Sequence, residues 1–187
     1  PGGSAAGSAI TVQARTGDNW MIDVAVELCK AGDVLVVAVS SPNEDGMFGE
    51  LLATSLQSRG VRGLVIDAGC RDVGALKDMG FPVWSRAISA QGTVPAPLGT
   101  VNVTVIVGSA GVCPGDVVVA DDDGVVIVPR TSAEAVVQQI EARLAKEESV
   151  RKRLAGGELG LDIYGMREAL AKAGLVYLDR ADDQDGH

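Results

Sequence analysis

The sequence predicts an α/β layered domain with a C-terminal helical arm, and three patterns support this prediction. Between residues 33 and 89, apolar runs of strand length alternate with segments of helical periodicity, which is typical of a layered α/β fold. Residues 100–128 then contain strand-like runs without helices between them. Two helical patterns, at 132–154 and 161–173, close the chain. We therefore expect a mixed β/α core, a β-hairpin layer and a helical arm, all within one domain spanning 1–187.

The first half of the chain supplies the alternating elements. Residues 9–15 form a predicted strand, and a helix follows with Asp18 as its N-cap and Gly32 at its end. The continuous apolar run at 33–40 is typical of a strand buried on both faces. The next predicted elements are a helix from Glu50 to Gly60, a strand at 61–69, a helix at 73–80 and a strand at 81–89.

The second half supplies the hairpin layer and the chain end. Strands are predicted at 100–107, 115–120 and 124–129, and the last two are joined by a turn at Asp121–Gly124. Residues 173–187 form an expected tail, and His187 is interpreted as the start of a purification tag. Because the sequence begins with Pro1 rather than Met, we expect a further segment to precede it in the native protein.

Composition argues against several classes of function. The formal net charge of −9 argues against binding to a nucleic-acid backbone, which requires a basic surface. Three cysteines without a CxxC pair argue against a zinc site or a disulfide framework and favour a cytoplasmic protein. No apolar run reaches the ~18 residues of a membrane span, so we expect no membrane association. The single histidine is terminal, so a catalytic site must use other groups.

Two motifs predict a site for an anionic ligand. The helix that starts at Glu50 leaves its first N–H groups without partners in the helix, and Gly49 lets a ligand approach the backbone. Considered alone, this motif is better explained as an ordinary helix start. Arg71 and Asp72, however, directly follow another strand, and ligands of parallel sheets bind beyond the carboxyl ends of strands. If the two strands are neighbours, Arg71 can bind a carboxylate while Asp72 holds Mg²⁺.

Three other features have ordinary structural explanations. The acidic run Asp121–Asp123 lacks the spacing of a calcium loop and is interpreted as a hairpin turn. Cys70 has neither a histidine nor a second thiol to assist it and is expected in the core. Glu147 continues an apolar stripe of the long helix, so it is either a solvated edge residue or a second acidic group directed at a site.

Six motifs together carry a family resemblance. In chain order they are GDVLVV, GELLA, RGVRGLVIDAGCRD, MGFPVW, PGDVVVADDDGVVIVP and YGMREAL. The chain resembles the RraA-like family over nearly its whole length. That family contains class II 4-hydroxy-4-methyl-2-oxoglutarate / 4-carboxy-4-hydroxy-2-oxoadipate aldolases and the regulators of ribonuclease activity A. The GMREAL motif and the long C-terminal helix make the chain more similar to the aldolase branch.

The resemblance implies a swivelling β/β/α fold, trimers or hexamers with sites between subunits, and Mg²⁺- or Mn²⁺-dependent retro-aldol cleavage that yields pyruvate. It also implies decarboxylation of oxaloacetate. Transferred to this sequence, Asp72 would hold the metal and Arg71 the oxo-acid substrate. Glu147, or its neighbour Glu148, matches an acidic residue contributed by an adjacent subunit. The turn that would bind pyruvate consists of Gly49, Glu50, Leu51 and Leu52.

The chain departs from the family pattern at three points. Glu50 stands where aldolases commonly carry Asp, and Ala75 stands where an acidic residue often follows the Arg–Asp pair. The usual N-terminal helical segment is absent from the sequence. The catalytic base is expected to be either Glu50 or a water on the metal. The alternative function is a non-catalytic regulator of a ribonuclease that acts by protein–protein contact.

Overall fold

The computed structural model describes residues 3–94 and 97–178. The chain divides into two compact units, Pro1–Glu134 and Ala135–His187. All residues identified as buried lie in the first unit, between Ala5 and Ala120. The part of the expected tail from 179 to 187, including His187, lies outside the described residues.

Among its described residues the first unit contains ten strands, three complete α-helices and a short 3-10 helix, Arg130–Ser132. The strands are β1 Ala5–Ala14, β2 Asp33–Val39, β3 Gly46–Phe48, β4 Gly63–Cys70, β5 Val83–Ile88, β6 Thr100–Val101, β7 Val105–Val107, β8 Ala110–Val112, β9 Val117–Ala120 and β10 Val125–Val128. The helices are α1 Trp20–Leu28, α2 Glu50–Ser58 and α3 Val73–Asp78.

The sheet order places the carboxyl ends of several strands at one edge. The eight-stranded sheet runs β10-β9-β1-β2-β4-β3, with β5 also paired to β4 and β6 to β1. Strand β1 is parallel to β2, and β2, β3 and β5 are each parallel to β4. The two strands that precede the candidate site motifs therefore end at the same edge of the sheet.

The core has two layers, one on each face of the sheet. Side chains of the three helices, such as Ile22, Leu56 and Leu76, pack against one face. The separate β7–β8 hairpin contributes Val105 and Val112 to a second cluster on the other face. Each fully buried aliphatic side chain contributes roughly 1.5–3 kcal/mol of transfer free energy, so both layers stabilise the sheet. The predicted layered α/β class is confirmed.

Several element boundaries differ from those predicted. The N-cap of α1 is Asn19 rather than Asp18, because Asp18 lies one residue too early and is buried with 1% exposure. Its Oδ2 has no hydrogen-bond partner within the described chain. Helix α1 also ends at Leu28, before the predicted Gly32. Strands β3 and β8, three residues each, were not predicted because such short runs show no periodicity.

Two predicted elements are split by residues with positive φ. The strand predicted at 100–107 is interrupted around Asn102, which has a φ of 55°. The helix predicted at 161–173 becomes two short helices because Gly165, with a φ of 63°, lies between them.

The second unit is helical. It contains most of α4, Ala133–Ala155, followed by α5, Gly160–Ile163, and α6, Arg167–Lys172. Helix α4 has no buried residue, and its predicted apolar stripe of Val137, Ile140 and Leu144 is exposed. Among the described residues, no helix combines the length and apolar character that crossing a membrane requires.

Candidate functional site

The two sequence motifs meet at the carboxyl edge of the sheet. Gly49 and Glu50 follow β3, while Arg71 and Asp72 follow β4. The Glu50 backbone N–H donates to Asp72 Oδ2 at 3.1 Å. The Arg71 N–H donates to the carbonyl of Phe48 at 2.8 Å. One motif is therefore hydrogen-bonded directly to the other, although the helix start follows β3 rather than the predicted strand at 33–40.

The Asp72 carboxylate caps the first turn of α2, a helix that begins 22 residues earlier in the sequence. Asp72 is the N-cap residue of α3, yet its side chain makes no cap for that helix. Its carboxylate instead accepts from the first residue of α2. Asp72 has a φ of 58°, which lies in the left-handed region that residues other than glycine rarely adopt. Residues in this conformation are found more often at functional sites than elsewhere.

The side chains of Arg71 and Asp72 leave no room for a side chain at position 49. A Cβ at this position would lie 2.3 Å from Asp72 Oδ2 and 2.9 Å from Arg71 Cγ. The φ of Gly49 is −159°, which any residue can adopt, so the requirement comes from space rather than from backbone conformation. The missing side chain of Gly49 thus makes room for Asp72 and Arg71, and the expectation that it also lets a ligand approach the backbone stays a prediction.

Arg71 and Asp72 make a loose contact. Arg71 Nε lies 3.6 Å from Asp72 Oδ2, and the two side chains are 40% and 44% exposed. At this separation the two side chains form at most a weak ion pair, and both remain partly exposed. Arg71 also lies beside the loop after β5, because a Cβ on Gly92 would be 3.9 Å from Arg71 Nη1.

That loop is held to the other strand ends by backbone hydrogen bonds. The Gly46 N–H donates to the carbonyl of Gln91 at 2.8 Å. The Val94 N–H donates to the carbonyl of Gly17 at 2.9 Å. The loops after β1 and β5 and the start of β3 are thus joined at the edge of the sheet where Arg71 lies.

Two amides at the start of α2 are available to an anion. The Glu50 N–H is engaged by Asp72. Within the described chain, the N–H groups of Leu51 and Leu52 have no acceptor, as expected for the first turn of a helix. The Leu51 side chain is 81% exposed, whereas Leu52 packs into the core. A carboxylate could be bound by these two amides and by the favourable end of the helix dipole.

The residues present fit a divalent cation only if water or substrate supplies most of its ligands. The described residues contain no group of three or more His, Cys, Asp or Glu side chains placed to hold a metal. Asp72 Oδ2 accepts from the Glu50 N–H, and Oδ1 has no partner within the described chain. Mg²⁺ is commonly bound through one or two carboxylates while it retains several waters. Asp72 Oδ1 suits that arrangement, and Ala75 in α3 adds no second carboxylate.

Glu147 belongs to the second unit of the chain. Its Oε1 accepts from Arg143 Nε at 2.6 Å, one turn earlier in α4. Glu148 pairs with Arg151 in the same helix. The carboxylates that the resemblance assigned to an intersubunit role thus have cationic partners within their own helix.

Cys70 and the acidic run have the structural roles that were expected. Cys70 is buried, and its Sγ lies 3.2 Å from Ser85 Oγ. Asp121 and Gly124 close the turn between β9 and β10 with a 3.0 Å backbone hydrogen bond. A cleft of about 310 Å³ lies beside β5 and α3, but neither Arg71 nor Asp72 lines it.

One polar pair near the site was not identified from the sequence. Asp67 in β4 accepts from Arg86 in β5, with Oδ1 lying 2.9 Å from Nε and 2.6 Å from Nη2. The sequence does contain a signal for this pair, because Asp67 and Arg86 are each a charged residue within an otherwise apolar strand. Their pairing became visible only when the strand register was known.

Comparison with known proteins identifies two groups of relatives, one named as aldolases and the other as RraA inhibitors of RNA processing. The RraA-like family model, described as Aldolase/RraA, matches residues 1–127. A protein of Halalkalibacterium halodurans, provisionally named a 4-hydroxy-4-methyl-2-oxoglutarate aldolase, is 28% identical over 158 residues, covering 84% of this chain and 75% of its own.

The relatives named as RraA inhibitors are found among the solved structures. A Streptomyces coelicolor protein, described as an unusual member of the RNase ES inhibitor RraA family, matches with a TM-score of 0.70 and 30% identity, covering 81% of this chain and 79% of its own. The RNA-processing inhibitor RraA of a Thermus species matches with a TM-score of 0.62 and 26% identity, over 67% and 76% of the two chains.

Proposed function

Because the chain belongs to the RraA-like family, we propose that it is a lyase that cleaves 4-hydroxy-2-oxo acids to pyruvate by retro-aldol chemistry. The substrate class is that of 4-hydroxy-4-methyl-2-oxoglutarate and 4-carboxy-4-hydroxy-2-oxoadipate. The observation that carries the proposal is the convergence of three groups at one strand edge. These groups are the Arg71 guanidinium, the Asp72 carboxylate and the free amides of Leu51 and Leu52.

Each group has a role that suits a 2-oxo acid. The amides of Leu51 and Leu52 bind the carboxylate next to the oxo group. Arg71 donates to the same end of the substrate and stabilises negative charge as it develops on the C2 oxygen. Asp72 would hold Mg²⁺ or Mn²⁺, which when bound supplies Lewis-acid polarisation of the 2-oxo group.

Bond cleavage needs a proton acceptor, and Glu50 is the carboxylate at the start of α2. We assign it the proton of the C4 hydroxyl, taken directly or through a water. The C3–C4 bond then breaks, and its electron pair forms the enolate of pyruvate while C4 leaves as a carbonyl compound. A proton returned to C3 completes pyruvate. Oxaloacetate would form the same enolate by losing carbon dioxide, so we expect both activities.

We also propose that the active assembly is a trimer or hexamer in which Glu147 of one copy approaches the site of another. The absence of buried residues in α4 supports a role for this helix between copies. Light scattering of the purified protein tests the assembly, and a monomer with full lyase activity would contradict it.

Pyruvate release with Mg²⁺ and then with EDTA tests the lyase proposal directly. We expect activity that EDTA abolishes and excess Mg²⁺ restores. Arg71→Ala should reduce kcat/KM by at least about 100-fold, and Arg71→Lys by less, since a lysine keeps the charge but not the planar fork. Metal-independent activity, or full activity in Arg71→Ala, would contradict the proposal.

The second candidate function is ribonuclease regulation, which the similarity to RraA structures and the net charge of −9 favour. A titration with a ribonuclease of the regulated class distinguishes the two candidates. Tight binding without any lyase activity would support the regulator.

A further inference from the structure

Strand β4, which directly precedes Arg71 and Asp72, is offset from both neighbouring strands just before it ends. Against β5, Ile66 pairs with Ser85 but Gly69 pairs with Ala87, so β4 contains one extra residue. Against β3, Gly46 pairs with Gly69 and Phe48 pairs with Cys70, so here β3 contains the extra residue. Such irregularities often lie beside functional sites, where they redirect a side chain.

Asp67 and Arg86 lie within this offset, directly after the last regular pair, Ile66 and Ser85. Asp67 Oδ1 accepts from both Nε and Nη2 of Arg86, at 2.9 and 2.6 Å. Asp67 Oδ2 accepts from the Gly108 N–H at 3.3 Å, in the turn between β7 and β8. One carboxylate thus connects β4, β5 and the hairpin that covers this face of the sheet. The side chains are partly shielded, at 20% exposure for Asp67 and 40% for Arg86.

If β4 and β5 continued to pair without the offset, the end of β4 would lie at a different position along β5. Without the extra residue, Gly69 would face Ile88 and Cys70 would face Ser89, a slip of one residue or about 3.3 Å. In the observed register the Ser89 N–H donates to the carbonyl of Cys70 at 2.9 Å. The position of Arg71 relative to the loop after β5 therefore depends on the offset.

We propose that Asp67 and Arg86 are a positioning pair that holds this offset and thereby fixes the positions of Arg71 and Asp72 at the edge of the sheet. A partly exposed ion pair adds little to stability, so the loss of the pair should appear chiefly in the geometry of the site. The kinetic part of the inference rests on the proposed lyase function. The geometric part does not, because the Glu50 amide reports the position of Asp72 directly.

The experiment compares Asp67→Asn, Arg86→Met and the double variant with the wild type. The amide proton of Glu50 is followed by NMR chemical shift and hydrogen exchange, and pyruvate release is measured in parallel. In each single variant we expect faster exchange of the Glu50 amide, by about tenfold. We also expect kcat/KM to fall about 10- to 100-fold, as small displacements of binding groups do. The double variant should be no worse than either single variant, because the residues act as a unit.

Two further variants keep the test decisive. Glu158→Gln removes another Arg–carboxylate pair, with Arg153 in the second unit, and should leave the Glu50 amide unchanged. Arg86→Lys keeps a cation at the same place, so it should retain part of the activity and replaces Arg86→Met if that variant does not fold. Wild-type exchange and wild-type kcat/KM in Asp67→Asn and Arg86→Lys would overturn the inference. If the wild type has no lyase activity, the proposed function fails while the Glu50 amide still tests the pair.

Discussion

At the scale of single residues, Asp72 combines roles that substitution can separate. Its carboxylate accepts the Glu50 N–H, its backbone has a positive φ, and its second oxygen is available to a cation. Asparagine retains an acceptor oxygen and tolerates positive φ better than most residues. Alanine retains neither property.

We therefore expect Asp72→Asn to lose more than about 100-fold in pyruvate release while its free energy of unfolding stays within about 0.5 kcal/mol of wild type. Asp72→Ala should lose the activity and also about 1–2 kcal/mol of stability, from the lost cap and the strained backbone. Urea denaturation beside the activity assay checks both. Equal destabilisation by the two variants would show that the carboxylate does not cap α2.

Cys29 gives a prediction that depends on pH. Burial, with a smaller contribution from Asp33, raises the pKa of the Cys29 thiol from about 9 to about 11. The folded protein therefore favours the protonated thiol. That contribution is fully present below pH 9 and is lost as pH rises from 9 to 11, where the unfolded chain ionises first.

The free energy of unfolding, measured from pH 8 to pH 11 for the wild type and Cys29→Ala, tests this. The difference between them should be constant below pH 9, and the wild type should lose about 1–2 kcal/mol more above it. Parallel curves throughout that range would contradict the shift. At pH 8, iodoacetamide should label the exposed Cys113 of the native protein and leave Cys29 unmodified.

At the scale of elements, Asp116 joins two turns of the first unit. It is buried, with Oδ2 accepting from the Cys113 N–H at 2.8 Å and Oδ1 from the Arg130 N–H at 3.0 Å. Asp116→Ala leaves both donors without their acceptor, so we expect a loss of about 2–4 kcal/mol in unfolding free energy. Asp116→Asn, which can keep one acceptor, should lose about half as much. A loss below about 0.5 kcal/mol for Asp116→Ala by urea denaturation would contradict this role.

The elements that could be predicted from the sequence are those with a strong local pattern. The run at 33–40 is continuously apolar because β2 is buried on both faces, and parallel strands of this kind are recognisable without knowing their partners. Strand β3 could not be predicted in the same way. Its three residues have no period, and they form a strand because β4 supplies hydrogen-bond partners.

In the candidate site, too, some residues could be identified from the sequence, whereas other contacts could be identified only from the structure. Arg71 and Asp72 were identified because they follow a strand, and that rule requires no pairing information. The crowding of Gly49, the cap on Glu50 and the Asp67–Arg86 pair each join residues that are distant in sequence. Such contacts depend on strand register, which a single sequence does not reveal.

At the scale of the whole molecule, the two units differ in how they are stabilised. All residues identified as buried lie between Ala5 and Ala120, whereas α4 contributes none. The family model, which ends at residue 127, matches the first unit alone. The sheet and its two hydrophobic layers should therefore fold without the helical arm.

A chain that ends after Glu134 tests this division. We expect it to retain cooperative thermal unfolding, with a midpoint within about 5 °C of the full chain, because no buried side chain is removed. Circular dichroism during heating checks the transition, and the loss of helical signal from α4 is an internal control. Non-cooperative unfolding would show that the arm contributes to the stability of the first unit.

The cap that Asp72 provides also has a thermodynamic consequence for ligand affinity. A ligand that draws the carboxylate away from α2 leaves the Glu50 N–H free, beside the amides of Leu51 and Leu52, for which the described residues supply no acceptor. If the incoming anion then accepts from Glu50, the number of satisfied donors is conserved and one acceptor is exchanged for another. The free-energy cost of moving Asp72 would thereby be offset in the same binding event. Occupancy by a cation and occupancy by an anion would then be coupled through a single peptide N–H.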